Sequence, residues 1–102
     1  MSNYTETTLW EGQSDTGIIN LSKDITLFKN LRFTIKGVNR GILGGDLENN
    51  VTKNTQELIK EKTFAIDGDG ANGGIKYINN VSFEISISGP ATYLKNVIGI
   101  KF

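Results

Sequence analysis

The sequence predicts an all-β protein, an antiparallel β-sandwich of jelly-roll type that leaves room for one short helix. Apolar and polar residues alternate from Val81 to Ile87, which is the period of a strand with one buried and one wet face. Similar short segments recur at near-regular spacing along the chain. The chain also has 12 glycines and one proline, and glycine-rich turns between short strands are typical of sandwiches. At 102 residues, we expect residues 1–102 to form a single domain.

The first half begins with two segments that resemble strands. Residues 7–10 are β-prone, residues 12–17 are rich in turn formers, and residues 18–21 are mostly apolar. We therefore expect a hairpin or two adjacent strands. Further along, Leu31, Phe33 and Ile35 alternate with polar residues, which predicts a half-buried strand.

The middle of the chain gives weaker signals. Residues 37–54 are rich in Gly, Asn and Asp, which predicts loops with one short strand at residues 40–43. In residues 54–62, Asn54 and Glu57 have the spacing of a capping box and are accompanied by good helix formers. A short helix and a strand are both compatible with this segment.

An acidic, glycine-rich stretch at residues 67–74 separates two apolar pairs. Phe64 and Ile66 precede it, and Ile75 and Tyr77 follow it. This layout predicts a hairpin with a long glycine-rich connection.

The same stretch contains candidate ligand-binding residues. Asp67, Asp69 and Asn72 offer oxygen atoms at a spacing that a calcium ion could use, but the glutamate that closes an EF-hand loop is missing. Because tight turns prefer these residue types, we predict an exposed turn without a metal or cofactor. Asp67 and Asp69 remain candidates for ligand contact.

Aromatic residues are the second group of candidates. Trp10, Tyr77, Tyr4 and Tyr93 could each stack on a sugar ring, since a flat apolar face with a polar edge suits pyranoses. In a small domain, Trp10 is also suited to anchor the core or a subunit interface. We take Trp10 and Tyr77 as the aromatic site candidates.

The late strand has a polar face opposite its apolar one. It is formed by Ser82, Glu84, Ser86 and Ser88, and it can be a solvated sheet surface, a subunit contact or a sugar-binding surface. After it, the apolar residues of 97–102 alternate up to the last residue, so we expect the C-terminus to be fixed in a sheet.

Composition disfavours several classes of function. The chain lacks histidine and cysteine, which excludes Ser-His-Asp and Cys-His catalysis and thiolate metal sites, and we expect no enzymatic activity. Its 11 basic and 11 acidic residues give a net charge of zero, so we expect no nucleic-acid partner. No apolar run is long enough to span a membrane, and residues 1–6 do not resemble a signal peptide. We expect neither membrane insertion nor secretion by the general route.

The chain contains four short motifs in order: TLWEG at 8–12, TGIINLS at 16–22, FKNLRF at 28–33 and VIGIKF at 97–102. In this order they resemble the motifs of a family of small β-sandwich domains in bacteriophage tail fibre, baseplate and receptor-binding proteins. Phe28 stands where that family usually has tyrosine, and residues 37–76 match none of its motifs.

The resemblance implies a virion component, a tail fibre, tail tip or head fibre assembled in the host bacterial cytoplasm. It implies a homotrimer that contacts other virion proteins and binds a glycan of the host cell wall. A purely structural decoration or assembly protein is the alternative, and a cellular carbohydrate-binding module is a third. Exposed, clustered aromatic residues would favour glycan binding, whereas aromatic residues buried between subunits would favour an architectural role.

Overall fold

In a computed structural model, the chain forms two four-stranded antiparallel sheets. The structure describes residues 4–38, 46–68, 71–88 and 92–101, and it describes only the backbone of residues 37, 38, 46–49, 66–68, 71 and 72. The strands are β1 (Thr5–Ser14), β2 (Thr16–Asn20), β3 (Asn30–Val38), β4 (Asp46–Asn54), β5 (Thr63–Gly68), β6 (Ala71–Asn79), β7 (Ser82–Ser88) and β8 (Tyr93–Lys101). A 3₁₀ helix, η1 (Ile25–Leu27), follows β2, and one α-helix, α1 (Thr55–Glu61), follows β4. The predicted all-β sandwich is confirmed.

The strand order is β1-β8-β3-β4 in the first sheet and β2-β7-β6-β5 in the second. The two ends of the chain are nested as in a jelly roll, because β1 pairs with β8 and β2 pairs with β7. β8 also pairs with β3, and the other three pairs, β3–β4, β5–β6 and β6–β7, join strands that are consecutive in the chain. The expected hairpin of the first two strands is wrong, since the chain changes sheets at Asp15 between β1 and β2.

The prediction of loops across residues 37–54 is also wrong for its second half. β4 is a nine-residue strand that pairs with β3 without interruption from Asn30↔Asn54 to Val38↔Asp46. Asn and Asp have low strand propensity, but the ladder with β3 overrides it. The strand predicted at residues 40–43 lies outside the described residues.

The ambiguous segment at residues 54–62 is a helix. Asn54 caps it, because its Oδ1 accepts hydrogen bonds from the backbone N–H groups of Gln56 at 3.0 Å and Glu57 at 3.2 Å. The helix ends where Lys62 adopts a positive φ of 72°, and Leu58 on its inner face is buried.

The predicted hairpin of residues 64–77 is confirmed, but its long connection is not. The glycine-rich residues themselves pair, and β5 and β6 stay in register up to Gly68↔Ala71. On its other side β6 approaches β7 closely at Gly73, where a Cβ at the φ of 141° would collide with the backbone oxygen of Ser86.

Aromatic contacts join the two sheets across the core. Phe33 in β3 lies 5.0 Å from Phe64 in β5 and 5.7 Å from Phe83 in β7, measured between ring centroids. The fully buried core side chains are contributed by both sheets and by η1, and the largest are Phe33, Phe83, Leu9, Ile25, Leu31 and Ile35. Val81 was predicted to join this core face, but it precedes β7 and is 40 % exposed.

The C-terminal strand is an interior strand, as expected, but its outer face is buried as well from Val97 to Ile100. Val97 faces the core, while Ile98 and Ile100 are also buried without belonging to the core cluster. On that outer face their opposite neighbours in the flanking strands are Arg32 and Glu6, which form a bidentate ion pair across β8 at 2.9 and 3.0 Å.

Candidate functional site

The structure places Trp10 against the core. A register shift between Thr8 and Trp10 makes Leu9 a bulge residue, so Leu9 is buried and the half-buried Trp10 also packs against the core cluster. Gly12 lies beside the indole, because a Cβ there would be 3.1 Å from an indole carbon. The indole is therefore held within this chain and is not a freely exposed platform.

Tyr77 is half-buried as well. Its ring packs edge-on against Phe83 with centroids 5.9 Å apart, and the Lys62 ammonium lies 4.9 Å from the ring centroid. Its hydroxyl donates a hydrogen bond to Asn80. A sugar would have to displace Lys62 to stack on the ring near that ammonium.

The acidic candidates are not assembled with the aromatic ones. Asp67 lies in β5, where only its backbone is described, and Asp69 lies outside the described residues. Asp67 pairs with Asn72, which precedes Tyr77 by five positions in β6, a distance of about 17 Å along a strand. Trp10 belongs to the other sheet. The four predicted site residues thus do not converge on one described site.

Two other kinds of site are not found in the part of the chain that the structure describes. No group of three or more acidic side chains is arranged to hold a metal ion. No described helix has the length and apolar character needed to span a membrane.

A cavity of about 400 Å³ opens at one end of the sandwich, between η1 and the start of α1. Asp24 caps η1, accepting hydrogen bonds from the backbone N–H of Thr26 at 2.8 Å and from the Thr26 hydroxyl at 2.6 Å. The hydroxyl bond, and then the backbone bond, lowers the pKa of Asp24 below its ordinary value. Asp24 therefore stays ionised at neutral pH and fixes the η1 side of the cavity.

Backbone hydrogen bonds hold the cavity walls together. The Lys29 N–H donates to the carbonyl of Ile100 in β8 at 2.9 Å, and the Lys29 carbonyl accepts from the Thr55 N–H in α1 at 2.9 Å. Next to this junction, the Phe28 ring lies directly on Gly99, where a Cβ would be 2.6 Å from the ring. Three separate parts of the chain are thereby fixed around one opening.

The cavity lining combines apolar, hydroxyl, amide and cationic groups. Leu27 and Phe28 supply its apolar part, and Thr26, Asn54, Thr55 and Gln56 supply its uncharged polar part. Lys29 and Lys101 also line it, and none of the described lining residues carries a carboxylate. The described lining residues can therefore offer hydrogen bonds, apolar contact and positive charge to a ligand.

One lining residue carries a buried polar atom that has no partner. The hydroxyl of Thr55 is buried without a hydrogen bond, and the residue is only 1 % exposed. Buried hydroxyls are nearly always bonded, so such a group calls for an explanation such as a bound ligand or water. Among the described residues, the Asn96 side-chain oxygen is the other atom of this kind, and Asn96 does not line the cavity.

Sequence reasoning missed this site. Its helix wall could be found from the spacing of Asn54 and Glu57, and its η1 wall from Asp24 two positions before Thr26. No local pattern, however, places Lys101 next to Lys29, because that proximity comes from the pairing of β8 with β3.

Comparison with known proteins gives no family assignment. Neither the protein-family profiles nor the curated protein sequences searched contain a match to this chain.

Proposed function

We propose that the protein is a bacteriophage virion component, a tail fibre, tail tip or head fibre, that binds a host cell-surface glycan as a homotrimer. The observation that carries the proposal is the placement of the four phage-like motifs. The motif at 28–33 leads into β3, and the motifs at 8–12 and 97–102 fall on β1 and β8; these three strands are neighbours in one sheet, in the order β1-β8-β3. The fourth coincides with β2, which begins the second sheet.

The cavity at the end of the sandwich supports the glycan-binding part of the proposal. Its mixture of hydroxyl, amide and apolar groups suits the alternating O–H and C–H surface of a sugar, and sandwich proteins commonly bind through the connections at the ends of their strands. The aromatic residues support this part less, because Trp10 and Tyr77 pack within the chain. We therefore place glycan contact at the cavity.

Trimerisation would compensate for weak binding at each site. Three linked sites raise avidity by on the order of a hundredfold or more when the geometry lets them engage together.

A purely structural virion role is the second candidate, and one observation favours it. Ile18 is 60 % exposed on β2, which is an edge strand of its sheet. An exposed apolar side chain on an unpaired sheet edge suits a subunit contact. This contact is also compatible with a trimer that binds glycan.

The test combines solution mass with sedimentation on cell walls. Light scattering should give about 34 kDa, three copies of the 11.2 kDa chain, and the trimer should sediment with purified Gram-positive cell walls. Walls stripped of their glycans serve as the control and should not retain it. A trimer that ignores every wall tested would favour the structural role, whereas a monomer would contradict both and favour a cellular module.

A further inference from the structure

We propose that β2 is a docking edge for a second copy of this chain, and that two β2 strands pair antiparallel about a twofold axis at Ile18. The contact goes beyond the proposed glycan binding and does not depend on it. It also differs from the contacts within a homotrimer, because an antiparallel pair of identical strands joins two copies symmetrically. It therefore links one trimer to another, at the edge where Ile18 is 60 % exposed.

β2 differs from the other edge strands in its charge. The first sheet ends in β1 and β4, and the second ends in β2 and β5. β2 has the sequence TGIIN, without a charged residue, and it pairs with β7 without a register shift, whereas β1 contains two shifts. Charges and bulges on an edge strand oppose pairing with another chain, so β2 is the least protected edge. The other three edge strands all contain charged residues, which are Glu6 and Glu11 in β1, Asp46, Glu48 and Lys53 in β4, and Asp67 in β5.

The backbone of β2 offers hydrogen-bonding groups on its open side. At its two ends, the Asp15 carbonyl accepts from the Ile87 N–H and the Leu21 N–H donates to the Val81 carbonyl, both at 2.7 Å. Because bonded and non-bonded positions alternate along an antiparallel strand, the even-numbered residues of β2 turn their N–H and C=O groups away from β7. No described strand lies on that side of β2.

The side chains of β2 fit those of a second β2. In an antiparallel pair centred on Ile18, the two Ile18 side chains lie opposite each other on the outer face, as an apolar cross-strand pair. Thr16 then lies opposite Asn20 of the other copy, and Gly17 lies opposite Ile19. A Cβ at Gly17 would meet nothing within 4 Å, so there is room beside it for the opposite isoleucine.

The ends of β2 are complementary in charge. Asp15 directly precedes the strand and Lys23 follows it after two residues, and both are exposed. Antiparallel pairing brings Asp15 of each copy to the end where Lys23 of the other copy lies, whereas parallel pairing would place like charges together. Asp24, next to Lys23, is engaged by Thr26 in the η1 cap. These ends favour a second copy, in the antiparallel direction, as the occupant of the edge.

The contact is small. The three outward-facing residues of each β2 would form about six hydrogen bonds, two for each bonded pair. A five-residue strand buries much less than the roughly 1,200–2,000 Å² of a stable interface. We therefore expect a weak contact that forms at high protein concentration or between arrayed trimers, while light scattering of dilute protein reports the trimer.

Single cysteines test the register, since the chain has no cysteine of its own. Opposite Cα atoms of an antiparallel pair lie about 4.5–5.5 Å apart, which a disulfide can bridge. Under mild oxidation, Ile18→Cys should form a covalent dimer at least about tenfold faster than Ala65→Cys, the matched control on an exposed residue of β5. Thr16→Cys and Asn20→Cys should cross-link to each other when mixed, and each should cross-link slowly alone.

Two outcomes of this experiment would overturn the inference. Equal rates for Ile18→Cys and Ala65→Cys would show that the edge has no specific contact. Thr16→Cys that cross-links alone as fast as Ile18→Cys would show parallel or threefold packing in place of the antiparallel pair.

NMR provides a measurement that does not need a thiol. In ¹H–¹⁵N spectra of the unchanged chain, raising the protein concentration to the millimolar range should shift the amide signals of Thr16, Ile18 and Asn20. Ile18→Lys should abolish these shifts, because two ammonium groups would then face each other. Ile78→Lys, at an isoleucine of β6 that is 41 % exposed, is the matched control and should retain them. Shifts that are absent, or that both variants abolish, would contradict the β2 contact.

This inference and the proposed function fail in different ways. Cross-linking in the expected register without retention on any cell wall would leave the β2 contact standing and contradict the host-glycan role. A trimer that is retained on walls but does not cross-link in that register would remove only the β2 contact.

Discussion

Replacing Thr55 with valine should make the protein more stable. The two side chains have nearly the same shape, are both β-branched and have similar helix propensity, so the change removes the hydroxyl and little else. In the folded protein that hydroxyl is buried and has no partner, whereas in the unfolded chain water solvates it. Desolvating an unpaired hydroxyl costs about 1–3 kcal/mol.

We expect the free energy of unfolding of Thr55→Val to rise by about 1 kcal/mol, the low end of that range, because the cavity is open to solvent nearby. For a domain of this size the melting temperature should rise by about 4–8 °C. Urea unfolding can be followed through the fluorescence of Trp10, the single tryptophan, which is half-buried against the core. Thermal circular dichroism provides the second measurement.

The same substitution at Thr34 is the matched control. Thr34 is 5 % exposed, but its hydroxyl donates to the Asn50 side-chain oxygen at 2.8 Å. Thr34→Val should therefore lower the free energy of unfolding by about 1 kcal/mol. If Thr55→Val is destabilising to the same extent, the Thr55 hydroxyl has a partner in solution and the reasoning is refuted.

Three further changes test the rest of the fold. Gly99→Ala should lower the free energy of unfolding by about 1–3 kcal/mol, because the new methyl collides with the buried Phe28 ring. In urea unfolding, the same substitution in a Phe28→Leu background should cause a smaller loss. An unchanged urea midpoint for Gly99→Ala would contradict the contact. The hydrogen bond from Arg32 lowers the pKa of Glu6 in the folded protein. The ion pair therefore stabilises the fold at pH values above the pKa that Glu6 has in the unfolded chain. This stabilisation is lost as the pH falls through the pKa of Glu6 in the folded protein. Glu6→Gln should accordingly be less stable than wild type at pH 7 and equal to it at pH 2, measured by urea unfolding; a difference that persists at pH 2 would exclude the ion pair as its cause. Trp10→Ala should lower the free energy of unfolding by about 2 kcal/mol, less than the loss of a fully buried tryptophan, and leave retention on cell walls intact; lost retention by a folded variant would restore Trp10 as a sugar platform.

Periodicity predicted the strands whose two faces differ. Leu31, Phe33 and Ile35 alternate with more polar neighbours, and the sequence pattern located β3 because one face of that strand meets the core. The spacing of Asn54 and Glu57 was a local signal for the start of a helix, but the sequence left helix and strand both open there, and the structure shows the helix.

Non-local pairing defeated the same reasoning elsewhere. β4 consists largely of residues that disfavour strands, and only its ladder with β3 makes it one. The glycine-rich half of the β5–β6 hairpin resembles a loop in sequence, but it forms strands. Gly73 lacks a Cβ and so allows β6 to lie close to the backbone of β7. The buried outer face of β8 depends on an ion pair between residues of β1 and β3, 26 positions apart.

The candidate cavity lies beyond sequence reasoning for the same reason. Phe28 on Gly99, the Asn54 cap and the backbone bonds of Lys29 hold the walls, and these contacts account for the shape without any ligand. The Thr55 hydroxyl contributes nothing to that shape that valine would not contribute equally well. The unpaired hydroxyl therefore lowers stability without being needed for the shape of the cavity wall. Thr55→Val should therefore raise stability and leave the wall in place, whereas Gly99→Ala should lower stability because it disturbs the wall itself.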